Sequence, residues 1–145
     1  MLDAERILNR TKATLVAAYE VTNWYAEKGI ENRFAVNHGG TFSQNGVGIK
    51  SVNAIHSSSF PDGVYGGNPM GFLIHTDKQA CYVAGDTALH MDMKLIPEFV
   101  PKLDLAILPI GDVFTMGVKD AAIAAEYVQC DRVLGCHYDT FPPIA

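Results

Sequence analysis

The order of apolar and polar positions along the chain predicts short strands that alternate with helices. Apolar residues recur at helical spacing, every third or fourth position, in residues 2–9, 20–28, 92–99 and 119–128. Compact or alternating apolar runs predict strands at residues 14–18, 33–36, 46–55, 72–76, 80–84, 105–109 and 132–136. This mixture predicts an α/β fold organised around a sheet.

Three of the apolar runs end on a side chain that can bind a metal ion. Residues 52–55 lead to His56, residues 80–85 lead to Asp86, and residues 132–136 lead to His137. A strand that ends on His or Asp delivers that side chain to the edge of the sheet, where sites of layered α/β proteins collect. Two imidazoles and a carboxylate from distant strands therefore predict one convergent pocket, and a hydrolytic metal centre fits them best.

Each of these three residues also has a structural interpretation. His56 alone could be an ordinary core or surface histidine. Asp86, in a Gly-Asp-Thr segment, could cap the helix that follows it. His137 could be a buried imidazole bonded to backbone. A metal site is the more economical hypothesis because it accounts for all three together.

Other polar residues near these positions are weaker candidates. His90 follows Asp86 closely and could donate a proton or contact substrate, or it could be an exposed loop histidine. Asp112 could support the metal site, although a capping or turn role explains it better, and Asp139 could accept a hydrogen bond near the metal site. The glycine-rich loop at residues 57–69 directly follows the first candidate ligand and could form one wall of the pocket.

Composition narrows the class of protein. The chain has 145 residues, enough for a single domain at 1–145, with 48% hydrophobic and 19% charged residues, as in soluble globular folds. A net charge of −5 gives no support to nucleic acid as a partner. No apolar stretch approaches the roughly 20 residues of a membrane span, and the start does not resemble a signal peptide. We therefore expect no membrane association and a cytoplasmic location.

The three cysteines also favour a cytoplasmic location. Their odd number and the lack of a Cys-x-x-Cys pair argue against a disulfide framework and favour a reducing compartment. Cys136 adjoins a candidate ligand, but neighbouring side chains of a strand point to opposite faces. We expect Cys136 and Cys81 to pack in the core, as free cysteines usually do.

Several segments resemble the metallo-β-lactamase superfamily, specifically small metal-dependent hydrolases related to ascorbate-6-phosphate lactonase. In order and spacing the resemblance runs from about Ala13 to the end of the chain. The matching segments are residues 56–59 (HSSS), 66–72 (GGNPMGF), 84–87 (AGDT), 108–111 (LPIG), 114–117 (FTMG) and 137–143 (HYDTFPP).

The resemblance implies a set of roles. His56 would correspond to the third histidine of the first metal site, Asp86 to the bridging aspartate, and His137 to the last histidine of the second site. Two divalent ions, Zn²⁺, Mn²⁺ or Fe, would generate a hydroxide that cleaves a lactone, an ester or a phosphoester of small size. Asp86 and His90 would be the residues closest to the chemistry.

One departure limits what the resemblance implies. The family's leading His-x-His-x-Asp-His motif, the source of four more ligands, would precede Leu2 and is absent. We therefore expect a partial αββα sandwich that lacks its N-terminal strands, with only part of the metal site and weak catalysis on its own. Half-sites that combine across a homo-oligomer, or a non-catalytic binding or scaffold domain that retains the fold, are the alternatives.

Overall fold

The computed structural model describes residues 3–144 and contains two sheets flanked by helices. The α-helices are α1 (Ala4–Thr11), α2 (Tyr19–Ala26) and α3 (Val118–Tyr127). Short 3-10 helices occupy Met91–Glu98 and Pro142–Ile144. The strands are β1 (Leu15–Ala18), β2 (Arg33–Val36), β3 (Thr41–Gln44), β4 (Val47–Asn53), β5 (Met70–His75), β6 (Ala80–Val83), β7 (Leu105–Pro109) and β8 (Val133–Cys136).

The direction of the strands in the larger sheet positions the candidate site. The six strands follow the order β3-β4-β5-β6-β7-β8, and β1 and β2 form a separate parallel pair. Both β4 and β6 are antiparallel to β5, whereas β6, β7 and β8 are mutually parallel. It follows that β4, β6, β7 and β8 all run the same way, so their carboxyl ends meet at one edge of the sheet.

The two faces of this sheet differ in burial. One face carries the main core, in which Leu73, Tyr82 and Leu108 are fully buried beneath the longer 3-10 helix and α3. On the opposite face, residues such as Ile74 and Leu134 remain partly exposed. This difference arises because side chains alternate across a pleated sheet and the described helices cover only one side.

The exposed face explains a wrong prediction about the cysteines. Cys130, after α3, is buried, but Cys81 and Cys136 are only half-buried. Cys81 lies on β6 between the buried residues Ala80 and Tyr82, so it points to the less covered face. Burial still raises the pKa of the Cys81 and Cys136 thiols above the ordinary value, which keeps them protonated near neutral pH.

Most predicted elements are present, with a few differences. The helix predicted at 92–99 is a 3-10 helix at Met91–Glu98, and Pro97 inside it cannot donate a backbone hydrogen bond. Strand β3 was not predicted because Phe42 is its one large apolar residue. The signal for it was the Asn45-Gly46 pair, whose positive φ angles of 52° and 78° suit a tight turn between β3 and β4. The predicted helix at 2–9 begins partly outside the described residues.

Tyr82 offers a test of the core. Its side chain is fully buried, its hydroxyl has no hydrogen-bond partner among residues 3–144, and burial raises its pKa. Because an unpaired buried hydroxyl costs about 1–3 kcal/mol, we expect Tyr82→Phe to stabilise the fold by about 1 kcal/mol. Thermal unfolding should show a higher Tm for the variant. A lower Tm would mean that the hydroxyl has a partner such as a buried water.

Candidate metal centre

Two of the three predicted ligands meet at the common edge of the sheet. Asp86 lies in the loop after β6, and His137 directly follows β8. The Asp86 Oδ2 and His137 Nε2 atoms are 3.6 Å apart. The proximity of residues 51 positions apart in sequence follows from the parallel arrangement of β6, β7 and β8.

The backbone around His137 is unusual in two ways. His137 has a φ of 56°, in the left-handed region that non-glycine residues seldom adopt. Gly111, in the loop after β7, lies so close to the His137 carbonyl that a Cβ at position 111 would be 2.1 Å from its oxygen. A glycine is therefore required at position 111, because only a residue without a Cβ allows the loops after β7 and β8 to lie this close.

The structural alternatives for Asp86 and His137 do not match what is observed. The next helix after Asp86 begins at Met91 with His90 at its N-cap position, so Asp86 does not cap it. The His137 ring is not bonded to backbone: its Nε2 faces Asp86, and its buried Nδ1 has no hydrogen-bond partner in the described chain. An imidazole nitrogen and a carboxylate oxygen at one strand edge are donors that fit a divalent ion such as Zn²⁺ or Mn²⁺.

Backbone hydrogen bonds connect the residue before His56 to the loop that carries Asp86. The Ile55 amide donates to Thr87 Oγ1 at 2.9 Å, and the Ala88 amide donates to the Ile55 carbonyl at 3.0 Å. These bonds join the loop after β4 to the loop of Asp86. The His56 Nδ1 lies 2.8 Å from the Ser57 carbonyl, and because a carbonyl only accepts, Nδ1 carries the hydrogen and Nε2 keeps its lone pair.

His56 nevertheless does not join the other two in a preformed ligand set. Within residues 3–144, no group of three or more His, Cys, Asp or Glu side chains is arranged to hold a metal ion. The structure thus assembles Asp86 and His137, and the role of His56 as a third ligand stays a prediction.

His90 is buried more deeply than a loop histidine. Both ring nitrogens are buried without hydrogen-bond partners in the described part of the chain. Burial lowers the pKa of His90, and the charge of Asp92 opposes this only partly. Its ring is thus neutral at neutral pH. Contact with the Asp86–His137 pair is not observed, so its catalytic role stays a prediction.

The low pKa of His90 has a consequence for stability. The unfolded chain binds a proton at its ordinary pKa, about 6.5, before the folded chain does. Stability should therefore fall as the pH drops below about 6.5 towards the folded-state pKa. We expect His90→Gln to flatten this part of a pH series of urea unfolding curves. An unchanged slope in His90→Gln would contradict the argument.

The loop at residues 57–69 is fixed by contacts that sequence reasoning missed. The Phe60 ring stacks on Trp24 of α2 at 4.9 Å between centroids, nearly parallel at 3°. Trp24 Nε1 also donates to Asp62 Oδ2 at 3.2 Å, which contributes to lowering the pKa of that carboxyl. His38, in the turn after β2, lies with its Nε2 atom 2.9 Å from the Pro69 carbonyl oxygen. The loop that follows His56 is therefore ordered.

Thr87 was also missed, although it is fully buried and joins three loops. Its hydroxyl accepts from the Ile55 amide and donates to the Ala88 carbonyl at 2.8 Å. Its own carbonyl accepts from the Met116 amide at 3.0 Å. The signal was its position in Gly-Asp-Thr directly after an apolar strand.

We expect Thr87→Val to lose about 1–3 kcal/mol of unfolding free energy, because the buried Ile55 amide loses its acceptor. Thr87→Ser keeps the hydroxyl and should lose about 1 kcal/mol or less, from one methyl group. Urea unfolding measures both changes. A smaller loss in Thr87→Val than in Thr87→Ser would show that the methyl group, and not the hydroxyl, holds the loops.

Asp112 and Asp139 adopt left-handed backbone conformations with φ of 59° and 53°. Asp112 Oδ1 accepts from the Val113 amide at 2.8 Å, which is the turn role considered from sequence. The Asp139 side chain is exposed. Any support that either gives to a metal ion stays a prediction.

Comparison with known proteins assigns the chain to a family. A sequence model of the beta-lactamase superfamily domain matches residues 3–138. The chain belongs to the β-lactamase superfamily. The mixed α/β architecture agrees, and the superfamily resemblance inferred from sequence is confirmed.

Relatives within this superfamily carry names that refer to metal-dependent hydrolysis. A UPF0173 metal-dependent hydrolase of Christiangramia forsetii is 55% identical over 141 residues, covering 97% of this chain and 62% of the relative. A similarly named protein of Thermus thermophilus is 48% identical over 137 residues, covering 94% and 60%. The chain thus spans less than two thirds of the length of these relatives.

A solved structure agrees at the level of the backbone. The metallo hydrolase Igni18 of the archaeon Ignicoccus hospitalis superposes with a TM-score of 0.86 at 35% identity, covering 98% of this chain and 60% of that one. The superfamily fold is therefore present across nearly the whole chain. Among the described residues, no helix has the length and apolar character to cross a membrane.

Proposed function

We propose that this β-lactamase superfamily chain carries part of the site of a metal-dependent hydrolase acting on a small-molecule lactone, ester or phosphoester. The observation that carries the proposal is the approach of Asp86 Oδ2 and His137 Nε2 to 3.6 Å at the strand edge. The names of its relatives support the same class of reaction.

The residues of this chain would have separate roles in binding metal and substrate. Asp86 and His137 would hold metal, and His56 would supply a third ligand through Nε2. When bound, two divalent ions such as Zn²⁺, Mn²⁺ or Fe supply the charge that activates water and polarises the reacting oxygen. His90, kept neutral by burial, suits a substrate contact better than proton donation at neutral pH. The loop at residues 57–69 would form a wall of the substrate pocket.

The test combines elemental analysis with a hydrolase panel. The chain and the longer Christiangramia forsetii relative are each loaded with Zn²⁺ or Mn²⁺, dialysed, and assayed on a lactone, a carboxylic ester and a phosphodiester. We expect the relative to retain metal and hydrolyse one class, and the chain to bind metal more weakly with little or no turnover.

Two results would contradict the proposal. Tight binding of two ions by the chain alone would show that the site is not partial. Absence of both metal and hydrolysis in chain and relative would favour the alternative, a non-catalytic binding or scaffold domain. That alternative draws support from the lack of a preformed three-residue ligand set within residues 3–144.

We further propose that the protein is a homo-oligomer in a reducing, cytoplasmic setting. The partly exposed apolar face of the larger sheet and the open edge of β8 support association. The three free cysteines support the setting. Sedimentation analysis across a range of concentrations tests the assembly, and a strictly monomeric chain would contradict it.

A further inference from the structure

Two aromatic rings stand exposed in the loops that follow β7 and β8. Phe114 is 52% exposed and Phe141 is 46% exposed. Their centroids are 6.1 Å apart with an interplanar angle of 29°, so they form one stacked surface. Val113 and Tyr138, next to them in sequence, are exposed as well. We call Phe114 and Phe141 the aromatic wall.

The loops that carry the aromatic wall touch the Asp86–His137 pair. Met116, two residues after Phe114, donates its amide to the carbonyl of Thr87, the neighbour of Asp86. Gly111, at the start of the same loop, is packed against the carbonyl of His137. The second loop begins at His137 itself. The wall and the pair are therefore carried by connected loops at the same edge of the sheet.

The two loops that carry the aromatic wall contain acidic residues and no basic ones. Residues 110–117 and 137–144 contain no Lys or Arg, and Asp112 and Asp139 are their only carboxylates. Both acidic side chains are exposed. Neither loop therefore offers a Lys or Arg side chain to pair with a phosphate or carboxylate group placed against the wall.

The backbone of the two loops is held in a costly conformation. Of the seven non-glycine residues with left-handed φ in the described chain, four lie here: Asp112, Val113, His137 and Asp139. Val113 is the rarest case because its side chain is β-branched. Such strain clusters at functional sites, where the surrounding structure compensates for it.

From these observations we infer that the aromatic wall binds an uncharged substrate through an aromatic or similarly apolar group next to the bond that is cleaved. This inference rests on the proposed function, and it narrows the substrate to neutral esters or lactones with such a group. The lack of Lys and Arg in both loops favours an uncharged group over a charged one at the wall itself. Phe114 and Phe141 are then specificity residues of the site.

Binding of non-hydrolysable ligands tests the inference without turnover. The probes are 4-phenyl-2-butanone, which has a ring and no charge, 2-butanone, which lacks the ring, and 3-phenylpropionate, which adds a carboxylate. Ligand-observed NMR on the chain should show the tightest binding for the first. We expect Phe114→Ala or Phe141→Ala to weaken it about three- to tenfold, the range for one aromatic contact.

The matched control is Phe34→Ala. Phe34 is also a half-exposed ring in an aromatic pair, with Phe42 at 4.7 Å, but it lies on β2 of the small sheet. This variant should bind the phenyl ketone like the wild type. If an alanine variant does not fold, Phe114→Leu or Phe141→Leu replaces it in the binding measurement, with a smaller expected loss of affinity.

Three outcomes would overturn the inference: equal binding of the two ketones, equal loss in Phe34→Ala, or tighter binding of the carboxylate. A shift of dimer to monomer in Phe114→Ala without any change in ligand binding would also overturn it, since the wall would then cover another copy of the chain. Failure of the proposed function would give a different result: the longer relative would show no ester hydrolysis, while the chain would still bind the phenyl ketone most tightly.

Discussion

Replacing Asp86 with asparagine is expected to lower the affinity for Zn²⁺ at least about a hundredfold. Residues that merely support a metal ligand already contribute about 10- to 100-fold, and Asp86 would be a ligand itself. The amide oxygen of asparagine carries no charge and is a weaker donor. Competition with a chromophoric chelator measures the affinity, and circular dichroism checks that the variant is folded.

Asp112→Asn is the matched control for this experiment. It removes the same charge from a nearby exposed position, while the asparagine can still accept from the Val113 amide. We expect its Zn²⁺ affinity to change less than about threefold, because an exposed charge is screened. If Asp86→Asn and Asp112→Asn weaken Zn²⁺ binding equally, the loss comes from the change in overall charge, and Asp86 is not a ligand.

Truncating Phe60 to alanine is expected to cost about 3–5 kcal/mol of unfolding free energy. The Phe60 ring is only 5% exposed and stacks on Trp24, which also lies under the Lys28 ammonium at 4.1 Å. Removal of the ring leaves a cavity beside α2 and frees the loop at residues 57–69. Such a loss is a large share of the 5–15 kcal/mol typical of a whole domain.

Tryptophan fluorescence makes this prediction easy to read. Trp24 is the one tryptophan of the chain, so its emission reports directly on the contact. We expect Phe60→Ala to shift the emission to longer wavelength and to lower the midpoint of urea unfolding. Phe34→Ala, at a ring that is 44% exposed, should cost clearly less and leave the emission unchanged. A red shift with unchanged global stability would show that the loop opens locally instead.

Local patterns were sufficient for most strands and helices. Residues 33–36 and 105–109 were predicted with the observed bounds, since compact apolar runs flanked by turn residues have few other interpretations. The kind of helix at Met91–Glu98 was not predictable from spacing alone. Strand β3 was missed because Phe42 is its one large apolar residue, and its strand character shows only in its pairing with β4 across the Asn45-Gly46 turn.

Spacing also identified the ends of β6 and β8 as positions for Asp86 and His137, but it could not supply their separation. The 3.6 Å approach depends on strand order and direction, which are properties of the assembled sheet. Phe60 and Trp24 gave no signal of their contact, because a ring becomes informative only with its partner. The Gly-Asp-Thr position of Thr87 was a signal, but it did not show that its hydroxyl accepts from the Ile55 amide. The core positions expected for Cys81 and Cys136 were wrong for the same reason, since the cover on each face is set by packing.

By itself, the sequence determined the class of fold, the superfamily and the residue types available for a metal site, because these follow from periodicity and short motifs. The tertiary structure alone decided which of those residues meet, which face of the sheet is covered and that the loops of the aromatic wall begin at the same strand edge as Asp86 and His137. The physical reason is that strands separated by dozens of residues are brought together by backbone pairing and burial, and those interactions exist only in the folded chain.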